Sequence, residues 1–285
     1  MKKDIGVFYI SDIHLDYKLL CLEDELFYKK KKIIEDAKKD YIDFLAHQLS
    51  ESLNKKKYKE NIVLILGDTS CELKSLVPFL KQFMKEVDKT TTKVFYVLGN
   101  HEYWFKKAEY KTNNVDEIVF NYKNTLKDLG IILLEKSVYI PNSDNEIYVL
   151  NELSFMSNSQ IKELFKNAKY AIIGGTGFAG LNDYFNVYKG IYRDANIDRD
   201  YEIKLSNTFS LFHRLINENA PNTKVIVATH NPVEDWCEDE LNPNYIYTNG
   251  HTHTNKLVKN KDKTIYADNQ IGYESDKVEF KVFEL

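Results

Sequence analysis

Short apolar runs dominated by Val, Ile, Phe and Tyr recur along the chain: IGVFYI (5–10), NIVLIL (61–66), KVFYVL (93–98), KYAIIG (169–174) and KVIVAT (224–229). Such runs do not alternate apolar with polar residues, so they describe strands covered on both faces. Helical spacing fills several intervals between them. In 73–87 the apolar Leu76, Phe79, Leu80 and Phe83 recur at three and four, and Phe209, Phe212, Leu215 and Ile216 do the same within 207–217. Strand and helix patterns in alternation predict an α/β layered architecture, with helices packed on either side of the sheet.

Two stretches interrupt the alternation. A segment of helix formers from Glu23 to about Lys59 carries KKKK at 29–32 and KKK at 55–57, which reads as a solvated helix face. The middle, 103–170, follows the aromatic EYWFKKAEY with a helix to about Leu129 and two strand candidates, GIILLEKSVYI and NEIYVL, joined as a hairpin by PNSDNE. No internal repeat, low-complexity tract or Pro/Gly/Ser linker divides the sequence, so a single domain over residues 1–285 is expected.

The strands end in polar clusters of one kind. IGVFYI leads to Ser11-Asp12-Ile13-His14, NIVLIL to Gly67-Asp68, KVFYVL to Gly99-Asn100-His101-Glu102, and KVIVAT to His230-Asn231-Pro232. A further run, YIYTNG (245–250), leads to His251-Thr252-His253, so five of the seven histidines stand at strand ends. Ligands of α/β sheets bind outside the carboxyl ends of the strands, which brings these clusters to one crevice. Carboxylates, an amide oxygen and imidazoles form a borderline-hard donor set suited to Mn, Fe or Zn, and no cysteine is near enough in sequence for a thiolate zinc site. Asp12 and His14 then read as the first ligands of a metal centre. The glycines 67, 99 and 250 let the backbone turn and approach closely.

Laid out in order, SDIH, GD, GNHE, TH and GHTH resemble the pattern of the calcineurin-like metallophosphoesterase superfamily over about residues 5–268. The resemblance implies a four-layer fold, two packed mixed β-sheets flanked by helices. It makes Asp12, His14 and His253 ligands of one divalent ion, Asn100, His230 and His251 ligands of the other, and Asp68 the bridge. His101 binds no metal in that pattern and stabilises or protonates the departing oxygen. The implied chemistry is hydrolysis of a phosphoester by a dinuclear centre, whose cations offset the ester's charge and acidify a shared water. Insertions fall at about 18–60 and 103–170. GDTSCEL lacks the Asp-Arg-Gly stretch of the protein serine/threonine phosphatases, which argues against that branch.

A small phosphodiester or nucleotide-like substrate is therefore expected, with a phosphomonoester, or a non-catalytic scaffold on the same fold, as alternatives. The formal charge of −4 gives no general grip on long nucleic acid. Three separated cysteines, Cys21, Cys71 and Cys237, fit a reducing compartment, and no apolar run approaches a membrane span, so a soluble cytoplasmic protein is expected. His47 and His213 lie in helical patterns and read as structural. Asp16 reads as a partner of the first motif or a turn residue, GGTGFAG (174–180) as backbone passing near the site, Tyr103 and Trp104 as core or pocket rim, and Arg193 as a conceivable phosphate contact.

Overall fold

All five apolar runs, and YIYTNG, contribute strands. The computed structural model describes residues 3–104, 112–141, 143, 145–260 and 263–285. In chain order the first elements are β1 (Lys3–Ile10), α1 (Leu15–Glu25), α2 (Lys31–Asn54), β2 (Tyr58–Leu66), α3 (Leu73–Glu86), β3 (Thr92–Val97) and α4 (Val115–Asp128). Then come β4 (Ile132–Leu133), β5 (Ser137–Tyr139), β6 (Ile147–Val149), α5 (Leu150–Ser154), α6 (Asn158–Phe165), β7 (Ala171–Gly175) and α7 (Arg199–Asn219). The last are β8 (Val225–Thr229), β9 (Ile246–Thr248), β10 (Leu257–Asn260), β11 (Lys263–Ala267) and β12 (Lys281–Glu284).

The strands build two mixed sheets, ordered β12-β1-β2-β3-β4 and β10-β11-β9-β8-β7-β5-β6. Residues alternate between two dry environments. Val7, Tyr9, Ile62 and Leu64 of the first sheet meet Ile172, Ile226 and Ala228 of the second, while Phe8, Ile10, Val63 and Ile65 face α1 to α4. On the far side, Ile173, Val225 and Val227 pack against Phe209, Phe212 and Ile216 of α7. Each fully buried Val, Leu, Ile or Phe among them contributes about 1.5–3 kcal/mol by leaving water.

This corrects the expectation of helices on both faces of one sheet: each sheet has helices on one face and the other sheet on the opposite face. An apolar run records that both faces are dry and carries no mark of what covers them. The four-layer α/β arrangement of two packed mixed sheets flanked by helices is the one observed.

Two further expectations change. GIILLEKSVYI is two strands, because β4 pairs with β3 in the first sheet and β5 with β7 in the second. The chain crosses between sheets at Lys136, whose φ of 47° turns it. The hairpin of β5 with β6 forms as expected, although Asn142 and Asp144 of its turn lie outside the described residues, as do 105–111 of the aromatic stretch. The Lys-rich segment is not one helix but α1's end and α2, separated around Leu26–Lys30, with β2 already begun at Tyr58. Its lysine runs are exposed, as a solvated face requires. Among the described residues no helix is long and apolar enough to cross a membrane.

Candidate metal centre

The polar clusters lie just beyond β1, β2, β3, β8 and β9, at the carboxyl edges of both sheets, and backbone bonds stitch them together. Asp12 N–H donates to Gly67 O at 3.0 Å, His14 N–H to Asp68 O at 2.9 Å, and Gly250 N–H to His230 O at 2.9 Å. His230 Nδ1 donates to Leu66 O at 2.8 Å, tying the second sheet to the first. Asp12, His14, Asp68, His251 and His253 all hold positive φ, between 50° and 74°. That conformation is uncommon outside glycine and costs of order 1–3 kcal/mol per residue, so the surrounding bonds must hold it. Gly67, with φ 81°, turns the loop after β2, and a Cβ on Gly250 would lie 2.6 Å from Asp12 Oδ2.

Two groups of potential ligands converge, with Asp68 belonging to the second and facing the first. Asp12, His14 and His253 form one: the Nε2 atoms of the two histidines are 2.9 Å apart, and His253 Nε2 is 3.4 Å from Asp12 Oδ1. Asp68, His230 and His251 form the other, joined by Asn100, whose Oδ1 lies 3.0 Å from His230 Nε2 and 2.9 Å from His251 Nδ1. Asp68 Oδ1 is 3.5 Å from His230 Nε2, and the same carboxylate meets His14 and His101 in a third grouping. All seven residues expected as ligands, and His101, are thus brought together.

The donor set fits divalent cations. Burial holds the imidazoles of His14 and His251 down at about 3 and that of His230 below its usual value, so they are neutral and offer lone pairs. Burial, and then the carboxylates of Glu102 and Asp12, push Asp68 well up. Asp12 is buried too, yet its bond to His253 and the imidazoles beside it keep it below the usual carboxylate range. His14 Nδ1, His101 Nδ1 and His251 Nε2 are buried with no hydrogen-bond partner among the described residues. Two buried carboxylates amid uncharged nitrogens call for positive charge between them.

Sequence reasoning gave Glu102 no task of its own, and it has one. Fully buried, it accepts from the backbone N–H of Asp68 at 2.9 Å, of Thr69 at 2.9 Å and of Gly99 at 2.8 Å, and from Tyr96 OH at 2.8 Å. It therefore fixes the loop that presents Asp68. Glu102→Gln would turn an amide donor toward backbone donors and leave at least one of them unpaired, a loss of about 1–3 kcal/mol per orphaned group. Urea unfolding in EDTA, where metal affinity does not enter, should show the midpoint fall; an unchanged midpoint would remove this anchoring role.

Around His101 the structure adds residues that no motif marked. Its imidazole stacks on Trp104 with ring centroids 3.7 Å apart, and its Nε2 lies 3.3 Å from Tyr273 OH and 3.7 Å from Asp68 Oδ2. Tyr273 in turn stacks on His14 at 4.0 Å. Lys18, buried despite its charge, donates to the carbonyls of Gly272 and Tyr273 at 2.9 and 2.8 Å and pins that loop over the site. A cleft of about 630 Å³ opens from here, lined by His101, Trp104, Arg193 and Tyr273 at one end and by Tyr17, Leu19 and Leu20 of α1 along its length.

Tyr103 is no pocket rim: it is fully buried, its hydroxyl 2.9 Å from Thr176 Oγ1. Trp104 is buried and also lines the cleft. Asp16 accepts from Cys71 Sγ at 3.0 Å, so it braces the loop after β2. The GGTGFAG backbone does pass the site, Thr176 O accepting from Asn231 N–H beside His230. His213 is buried with Nε2 3.2 Å from Tyr247 OH, and His47 lies between Glu51 and Glu86 at the surface, both away from the centre.

A model of the calcineurin-like phosphoesterase family matches residues 6–255. An uncharacterized protein of Acanthamoeba polyphaga mimivirus is 24% identical over 305 residues, covering 96% of this chain and 94% of its own. Among solved structures, phosphopantetheinyl hydrolase from Mycobacterium tuberculosis superposes with a TM-score of 0.52 at 10% identity, covering 97% of this chain and 92% of that one. That likeness is one of fold.

Proposed function

Because the chain belongs to the calcineurin-like phosphoesterase family and is thus a metal-dependent hydrolase of phosphoric esters, we propose that it cleaves a small phosphodiester or nucleotide-like ester at a dinuclear centre. Asp12, His14 and His253 hold one ion in this reading, Asn100, His230 and His251 the other, and Asp68 serves both. Manganese suits the set of carboxylate, amide and imidazole donors, with iron or zinc as substitutes. When bound, such cations act as Lewis acids toward phosphoryl oxygen and water.

The chain's own residues do the rest. Asp68, fixed by Glu102, keeps the two ligand groups in register. His101 is buried, and burial, with His14 as the next cause, holds it down at about 2, so it enters the reaction neutral. A neutral imidazole can donate one N–H to the departing oxygen, and its stacking on Trp104 and contact with Tyr273 fix the ring for that task.

The observation that carries the substrate class is the cleft itself. At about 630 Å³ with Tyr17, Trp104 and Tyr273 in its walls, it has the size and aromatic lining for one or two nucleotide units. A long duplex would need a basic surface, and a phosphopeptide finds no counterpart here of the protein-phosphatase arginine motif. The compartment we infer is the cytoplasm, from three cysteines without a pairing pattern.

Bis-p-nitrophenyl phosphate, p-nitrophenyl phosphate, cyclic nucleotides, a phosphopeptide and duplex DNA, compared at equal manganese loading, test this. A diester should show the highest kcat/KM. If the monoester or phosphopeptide exceeds every diester tenfold, about 1.4 kcal/mol of transition-state preference, the diester assignment is wrong and the monoesterase reading replaces it.

A further inference from the structure

Trp104 lies between two other groups in a three-layer stack. One face meets the His101 ring at 3.7 Å between centroids; over the ring on the other side sits the Arg193 guanidinium, its Cζ 3.4 Å from the centroid. Stacking occupies the flat face of a guanidinium and leaves its N–H edges free. Among the described residues, Arg193 makes no side-chain hydrogen bond and no ion pair, although the chain is rich in carboxylates.

The loop that carries Arg193 is built to hold it there. Tyr192, fully buried, packs against Phe178 and Tyr103 at 5.7 and 6.2 Å between ring centroids. Ile191 O accepts from Trp104 Nε1 and from Asn100 Nδ2, both at 2.8 Å, so the loop is registered on one of the expected metal ligands. Arg193 itself has φ 46°, and its N–H donates to Gly190 O at 3.1 Å. An uncommon backbone conformation, a buried anchor next door and a carbonyl shared with the site together present a cation at the end of the cleft where His101 stands.

We propose that Arg193 binds a second anionic group of the substrate, carried on its leaving group one aromatic layer beyond the scissile bond. This rests on the proposed function, in which His101 faces the departing oxygen. The indole separates Arg193 from His101, so the guanidinium is too far along the cleft for the reacting phosphoryl group and correctly placed for a neighbour of it. A free guanidinium edge takes a phosphate or a carboxylate in the same bidentate manner. The favoured substrate class is then an ester whose leaving alcohol itself carries a phosphate or carboxylate, rather than a simple neutral alcohol.

Three esters of adenosine 5′-phosphate test this on manganese-loaded protein. The 4-phosphonophenyl ester leaves with a phosphonate standing in for a phosphate, the 4-carboxyphenyl ester leaves with a carboxylate, and the p-nitrophenyl ester carries no second anion. The ratio of wild type to variant cancels the intrinsic reactivity of each. Arg193→Met, which covers Trp104 but has no charge, should lose roughly 10–100-fold in kcat/KM on an anion-bearing ester, mostly through KM. That loss should exceed the loss on the p-nitrophenyl ester at least tenfold, and Arg193→Lys should recover part of it. Which of the two charged esters responds more identifies the anion as phosphate or carboxylate. Equal losses on all three esters, or full activity in the methionine variant, would overturn the proposal and leave the phosphoesterase reading standing. If the wild type hydrolyses none of the esters, that reading fails instead, and the same ratios taken as Kd by calorimetry still decide the role of Arg193.

Discussion

Asp68→Asn should leave the protein unable to hold either ion firmly and lower kcat/KM by on the order of 10³ or more, about 4 kcal/mol. The reason is position. One carboxylate lies within reach of His230 on one side and of His14 and His101 on the other, and its Oδ1 accepts the His101 backbone N–H at 2.9 Å. An amide keeps the shape but loses the charge and one acceptor, so both ligand groups lose the anion between them. His14→Ala, by contrast, removes a donor from one group and should mainly empty one position. Elemental analysis after exhaustive dialysis reads the difference: about two ions per chain in the wild type, about one in the alanine variant, fewer in the asparagine variant. A wild type that never holds more than one ion at saturating manganese would end the two-metal reading.

For His101→Gln the expected signature is different: both ions retained, and kcat reduced roughly 10²–10⁴-fold. Glutamine can still reach toward the cleft, but it cannot pass a proton or share an imidazole's stacking on Trp104. The loss should shrink as the leaving group becomes more acidic, because a stable anion needs no proton. Metal content and a plot of kcat against leaving-group pKa are the two measurements. Equal losses across leaving groups would assign His101 to substrate binding, and a loss of metal would make it a ligand, which its place near His14 and Asp68 leaves geometrically open.

The legible part of this molecule is what local chemistry marks. Runs such as NIVLIL announce buried strands because any polar residue there would be stranded in the core. The site was legible because its residues closely follow those strands, as Asp68 does β2 after one glycine and His230 does β8 directly. Other features depend on partners that sequence spacing does not name. Lys18 looks like an ordinary helix lysine, yet it is buried against carbonyls 254 and 255 residues away. Tyr273 belongs to no apolar run and reaches His101 only through that pinned loop. Strand β10 is exposed along its length and β12 is a short edge, so neither shows the dry run that gave the others away. Glu102 stood in a recognised motif, but its partners are mostly backbone N–H groups, which every residue type supplies.

The stitching of two sheet edges into one centre also governs how the chain comes to fold. His14 meets His253 across 239 residues of sequence, and Asp12 meets the His251 N–H across the same span. Contacts so remote carry a large loop-closure cost before they give anything back, so the centre belongs to the last stage of folding. Until the second sheet is made, Ile62, Leu64 and Leu66 of the first have no cover on their inner side. During synthesis the first half of the chain therefore exposes a sticky apolar plane, and its escape from aggregation depends on how soon the second half arrives.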